Sequence, residues 1–182
     1  MTLLALCGYA RVGKDTVADF LVREHGFTKV SFATPLKAIL CDLNPVVRPN
    51  PSETGLQRLA TLLCAFGWDG AKMEPEVRRL LQRLGVAVRE HIDPDVWVRR
   101  AMEDITDRCV ISDTRFANEV TAIKERGGCL VRVVRPGVTA VNEHVSETAI
   151  DDIVEDFRLI NDGTIDDLYH AAEEMMEWLN IL

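Results

Sequence analysis

Short apolar runs alternate along the chain with stretches whose apolar residues recur every three or four positions. The run from Leu3 to Cys7 ends at Gly8 and predicts a buried strand. From Asp15 to His25 the apolar residues Val17, Ala18, Leu21 and Val22 fall on one helical face, and Gly26 stops the helix. Thr28 to Phe32 predicts a second, edge-like strand, and Pro35 opens a helix through Leu40. Later in the chain, Cys109 to Ser112, Cys129 to Val134 and Phe157 to Ile160 predict three more strands. Helices are predicted from Ala117 to Glu125 and from Ile165 to Leu179. Strands that alternate with helices in this way predict an α/β fold: about five mostly parallel strands with helices on both faces.

The stretch of about 75 residues between the second and third strands breaks this rhythm and contains no strand pattern. It is too long for a bare loop. Leu56 to Phe66, Pro75 to Arg89 and Asp95 to Ile105 have helical spacing, so residues 34–106 are expected to form a helical insert within one domain spanning 1–182. Such an insert could hold a second substrate.

Composition narrows the classes. Apolar residues make up 47% and charged residues 27%, which suits a globular chain and excludes wholesale disorder. No apolar run approaches the ~18 residues of a membrane span, and the apolar start lacks a basic flank and runs into glycine. No membrane partner and a cytoplasmic location are therefore expected. Twenty-one lysines and arginines against 29 acids leave a net charge of −8, which repels nucleic-acid backbones but still allows basic groups to converge in one cleft. The five cysteines contain no Cys-x-x-Cys pair, and the histidines have no ligand spacing, so a reducing compartment and no structural zinc are expected.

Candidate chemistry begins at the end of the first strand. Gly8-Tyr9-Ala10-Arg11-Val12-Gly13-Lys14-Asp15-Thr16 is a Gly-x-x-x-x-Gly-Lys-x-Thr loop between a strand and a helix. Glycines let backbone N–H groups turn inward, the helix N-terminus adds positive potential, and Lys14 can reach the β- and γ-phosphates of a nucleotide. Asp15 stands where a hydroxyl residue usually touches Mg²⁺. Thr16 then contacts phosphate or joins the metal shell, and Asp15 holds a metal-bound water or caps the helix. Ser112-Asp113-Thr114-Arg115-Phe116 puts an acid and an arginine just past the third strand, where Asp113 could position Mg²⁺ and Arg115 clamp a phosphate, or the two could form a local pair with Asn118 and Glu119 starting a helix. Arg135 precedes Pro136-Gly137 and a polar stretch, so a lid over about 136–148 could bring Arg135 onto the transferring phosphate. His144 and Glu147 within it are expected to be surface or capping residues. Trp97 could stack on a base or be buried.

Taken together, these pieces resemble the deoxynucleoside monophosphate kinases encoded by bacteriophages. The likeness rests on Gly13-Lys14-Asp15-Thr16-Val17-Ala18, Phe32-Ala33-Thr34-Pro35-Leu36-Lys37 and Leu81-Gln82-Arg83-Leu84-Gly85. It continues in Asp113-Thr114-Arg115-Phe116-Ala117-Asn118-Glu119, His144-Val145-Ser146-Glu147 and Asn161-Asp162-Gly163-Thr164, in that order over residues 8–164. The resemblance implies a P-loop kinase fold with ATP and a deoxynucleoside monophosphate as small-molecule substrates and Mg²⁺ as cofactor. It implies ATP contacts from the loop residues Gly8, Arg11, Val12, Gly13, Lys14, Asp15 and Thr16, with Asn161 and Asp162 near adenine. Asp113 would serve the metal and Arg115 the phosphates, while Lys37, Gln82 and Arg89 would face the monophosphate. The family pattern has Thr-Glu where this chain has Val86-Ala87. A phosphomevalonate kinase shares Pro-Leu-Lys and Ser-Asp-Thr-Arg, so another phosphorylated acceptor is the alternative. A GTP switch is disfavoured because Asp-x-x-Gly and Asn-Lys-x-Asp are missing from the sequence. A homodimer is left open.

Overall fold

The structure, a computed structural model, describes residues 1–48, 55–139 and 149–181. Five strands form one sheet: β1 (Thr2–Cys7), β2 (Thr28–Val30), β5 (Arg108–Thr114), β6 (Cys129–Val134) and β7 (Phe157–Ile160). Their order is β2-β5-β1-β6-β7, and every pairing is parallel. β1 therefore runs through the middle of the sheet and is buried on both faces.

Alternation along the strands sorts the core into two layers. Leu4 and Leu6 of β1, with Val110, Val131 and Val133, pack against Val17, Phe20 and Leu21 of α1 (Lys14–His25) and against Leu168, Ala172 and Met175 of α7 (Ile165–Trp178). Leu3, Ala5 and Cys7 face the other way with Cys109, Ile111 and Leu130. They meet Val98, Ala101 and Met102 of α5 (Val96–Glu103) and Ile123 of α6 (Ala117–Glu125). Burial of this kind pushes the Cys7 thiol up to about 11, so it stays protonated and inert. All five cysteines are free.

By compactness the chain divides into two units, residues 1–32 with 98–182, and residues 33–97. The second unit contains α2 (Thr34–Leu43), α3 (Leu59–Ala71) and α4 (Pro75–His91). Its own core gathers Leu40, Val47, Leu59, Leu62, Ala71 and Val77. The expectation of no strand here is corrected: β3 (Val46–Val47) and β4 (Gln57–Arg58) form a short antiparallel pair. Two-residue strands carry too little alternation to register in a sequence pattern. The third helix starts at Leu59 rather than Leu56 and continues through a kink at Gly67, whose φ is 62°. Among the described residues no helix is long and apolar enough to cross a membrane.

Candidate active site

The loop between β1 and α1 takes its shape from two glycines. Gly8 has φ 134°, and a Cβ there would come within 2.3 Å of the Val133 carbonyl oxygen. Gly13 has φ 107°, and its Cβ would lie 2.8 Å from Asn161 Nδ2. A side chain at Gly8 would require backbone to move, and one at Gly13 would press on the Asn161 and Leu168 side chains at a φ that favours glycine. Gly13 is the N-cap of α1 and, having no side chain, offers no cap, so the first turn keeps N–H groups for an incoming anion. Lys14 is only 8% exposed, and its Nζ donates to the carbonyl oxygens of Gly8 at 2.8 Å and Tyr9 at 2.6 Å. The ammonium is thus stored inside the loop. Asn161 Nδ2 donates to the Val12 carbonyl at 2.9 Å and Asn161 N to that of Val134 at 2.8 Å, which fastens the loop to the end of β7.

Beside the loop lies a cavity of about 350 Å³. Arg11, Lys14 and Arg135 give it basic character, Asp15, Thr16 and Asn161 add polar groups, and Gly163, Thr164, Ile165 and Leu168 supply a small, partly apolar wall. Such a mixture suits a nucleotide. Val12 is buried and takes part through its backbone alone, and Asp162 is exposed and does not line this space. Ile165 and Leu168 escaped the sequence reading because apolar residues at helical spacing look like ordinary core.

Across the sheet, β5 corrects a second expectation. The strand runs to Thr114, so Asp113 lies within it rather than past its end. Between the pairs Ala5–Ile111 and Cys7–Thr114, two steps on β1 match three on β5, a bulge at residues 112–113. The extra residue re-aims both side chains. Ser112 Oγ donates to Asp15 Oδ1 at 3.0 Å. Asp113 Oδ2 accepts from Ser31 Oγ at 2.7 Å, and its Oδ1 accepts from Phe32 N at 3.0 Å, which holds the chain leaving β2. Asp15 is not the helix cap: it sits inside α1, with Oδ1 2.9 Å from Lys29 Nζ. Desolvation favours its neutral form, yet hydrogen bonds from Lys29 and Ser112 and the charges of Lys29 and Lys14 outweigh this and hold the carboxyl below its ordinary range.

Arg115 is presented by a turn that Glu119 closes. The Glu119 carboxylate, 2% exposed, accepts from Arg115 N at 2.7 Å and Phe116 N at 3.1 Å. A buried acid that caps its own helix start in this way fixes where the arginine leaves the backbone. Arg135 is exposed at the end of β6, and the Val138 N–H closes a turn on its carbonyl at 3.1 Å. The remainder of the expected lid, including His144 and Glu147, lies outside the described residues. On β6, Arg132 Nε meets Glu155 Oε2 at 2.9 Å, and Tyr9 donates its hydroxyl proton to Asp151 at 2.6 Å. Partial burial opposes ionisation of Glu155, but its hydrogen bonds with Arg132 and Arg158 lower it to about 2.

The expected Mg²⁺ residues offer only oxygen donors: the carboxylates of Asp15 and Asp113 and the Thr16 hydroxyl. Among the described residues, no three His, Cys, Asp or Glu side chains gather into a metal site of their own. That donor set fits a hard cation that arrives on phosphate oxygens and keeps its waters.

In the second unit, Lys37 Nζ lies 5.8 Å from the centre of the Trp68 ring, and Arg89 donates to the Pro94 carbonyl at 3.0 Å. Trp97 is 4% exposed, with its indole N–H donated to the Gly85 carbonyl at 3.0 Å, so it is a core residue and not an open stacking platform. Among the described residues, Gln82 Nε2 is buried with no hydrogen-bond partner.

A parallel sheet with β1 at its centre, a glycine loop storing a lysine and an adjoining nucleotide-sized cavity define a P-loop kinase. The fold of shikimate kinase from Aquifex aeolicus is similar, with a TM-score of 0.50, 12% identity and coverage of 98% of this chain and 96% of that one. The sequence profile described as deoxynucleotide monophosphate kinase matches residues 65–172. A relative from Acanthamoeba polyphaga mimivirus whose name carries the same description is 32% identical over 192 residues, covering 93% of each protein. The deoxynucleotide monophosphate kinase of Enterobacteria phage T4 is 23% identical over 241 residues, covering 98% of this chain and 100% of that protein. The chain belongs to the deoxynucleotide monophosphate kinase family.

Proposed function

We propose that the protein transfers the γ-phosphate of ATP to the 5′-phosphate of deoxynucleoside monophosphates, producing ADP and deoxynucleoside diphosphates for DNA synthesis in a host cytoplasm. One observation carries this reading: a nearly buried lysine stored in a glycine loop beside a nucleotide-sized cavity, in a member of this kinase family.

The chemistry needs alignment and charge neutralisation more than covalent help. Incoming β- and γ-phosphate oxygens would take the Lys14 ammonium from the Gly8 and Tyr9 carbonyls, while the loop N–H groups hold the tail. Arg115 and Arg135 would neutralise charge on the moving phosphoryl group. As the bond from γ-phosphorus to the β–γ bridging oxygen breaks, a bond forms to an oxygen of the acceptor phosphate. That acceptor has its second pKa at roughly 6, so it is largely ionised at neutral pH and requires no general base. Mg²⁺, held by Thr16, Asp15 and Asp113 directly or through water, supplies charge neutralisation at the phosphates when bound.

Lys37, Gln82 and Arg89 are proposed to serve the acceptor. Support comes from Gln82, whose unpartnered amide nitrogen is a donor awaiting an acceptor such as a base oxygen or nitrogen. A coupled assay over dAMP, dGMP, dCMP, dTMP and phosphomevalonate tests the reading. Turnover of one or more deoxynucleotides is expected, and turnover of phosphomevalonate alone would refute it.

A further inference from the structure

The residue after the phosphate-binding lysine is a carboxylate here, so a negative charge stands beside the place where a triphosphate tail would rest. A bare carboxylate there would repel the ligand. It is not bare. Lys29, on the edge strand β2, lies 2.9 Å from Asp15 Oδ1 and 2.8 Å from Asp19 Oδ1. Asp15 and Asp19 are four residues apart and so share one face of α1, which lets a single ammonium bridge them. Ser112 donates to the same Asp15 oxygen at 3.0 Å. Among the described residues both donors thus converge on Oδ1, which leaves Oδ2 for water or a ligand on a residue that lines the cavity.

We propose that Lys29 is a positioning residue of the donor-nucleotide site, which clamps Asp15 in one orientation and cancels its charge so that an acid can sit next to Lys14 without repelling the triphosphate. This rests on the reading of the loop as the ATP site. Stability alone does not account for the arrangement. With the side chains of Lys29 and Asp15 31% and 73% exposed, the pair contributes little to folding. Its leverage comes from location: Lys14 precedes Asp15 in the chain, and the other constraint on Asp15 arrives from the β5 bulge.

The test is calorimetric titration with ATP, in EDTA and in excess Mg²⁺, of the wild type, Lys29→Met, Asp15→Asn and the double variant. In EDTA, Lys29→Met is expected to weaken ATP binding about tenfold, the order of magnitude of one uncompensated charge near a partly exposed anion. With Mg²⁺ the loss shrinks to about threefold, because the cation offsets the exposed acid. In the Asp15→Asn background, Lys29→Met should change Kd less than about twofold, since little is left to cancel. Lys29→Arg should bind like the wild type. If Lys29→Met melts as an unfolded chain, Lys29→Gln takes its place and is judged the same way. Unchanged affinity in Lys29→Met, or an equal loss with and without Asp15, overturns the proposal while the ATP site stands. A wild type that binds no ATP in either buffer overturns both.

Discussion

The phosphate loop and the helical unit of residues 33–97 use their polar groups in opposite ways. In the loop the work falls to backbone: glycine conformations, carbonyls that store Lys14, and the N–H groups of the first turn of α1. In the helical unit the polar groups are side chains, several of them already engaged. Arg89 is held by Pro94, Trp97 by Gly85, and Lys37 lies against Trp68, while Gln82 keeps a buried donor unused. A site made of backbone tolerates little substitution and serves any triphosphate. A site made of side chains can be retuned, which is why the proposal puts choice of acceptor there.

Substitutions should separate the two regions sharply. The largest effect is expected from Lys14→Met, which removes the one buried cation of the loop. A loss of about 10²–10³-fold in kcat is expected, comparable to deleting one preorganised charge-stabilising donor, with the melting temperature nearly unchanged. Steady-state kinetics and a thermal melt check this. Gly8→Ala should act on folding and binding together. Its methyl group would press on the Val133 carbonyl at a φ that favours glycine, which costs at least about 2 kcal/mol, or about 4–8 °C in Tm, and abolishes ATP binding.

In the helical unit the signs differ. Gln82→Met removes a buried amide nitrogen that lacks a partner among the described residues, so calorimetry should find no loss of Tm, while KM for the acceptor rises about tenfold and KM for ATP stays fixed. The smallest effect concerns acid stability of the sheet unit. Glu155 falls from an ordinary 4.5 to about 2 on folding, so its contribution is full above the unfolded value and lost as pH falls from about 4.5 towards 2. Glu155→Gln should lower Tm at pH 7 and flatten its decline over that acid window.

The loop was legible because its requirement is local: glycines at fixed spacing, a lysine, then a helix pattern. The five strands were legible for a similar reason, since each apolar run is long enough to show. Other features depend on chain segments far apart in sequence. The bulge that pulls Asp113 into β5 is a matter of register against β1. Lys29 looks like a solvated edge-strand residue until α1 brings Asp15 and Asp19 beside it. Asn161 is expected near adenine from the family resemblance, and that its side chain also fastens Val12 depends on the end of β7 running alongside the loop. Trp97 could stack or be buried, and only the Gly85 carbonyl decided it.

Transfer of label tests the central claim most directly. Wild-type protein incubated with Mg²⁺, ATP labelled in its γ-phosphate and an equimolar set of dAMP, dGMP, dCMP and dTMP should yield labelled deoxynucleoside diphosphate, and Lys14→Met should yield almost none. Label found only in ATP and inorganic phosphate, with every deoxynucleotide unmodified, would contradict the account.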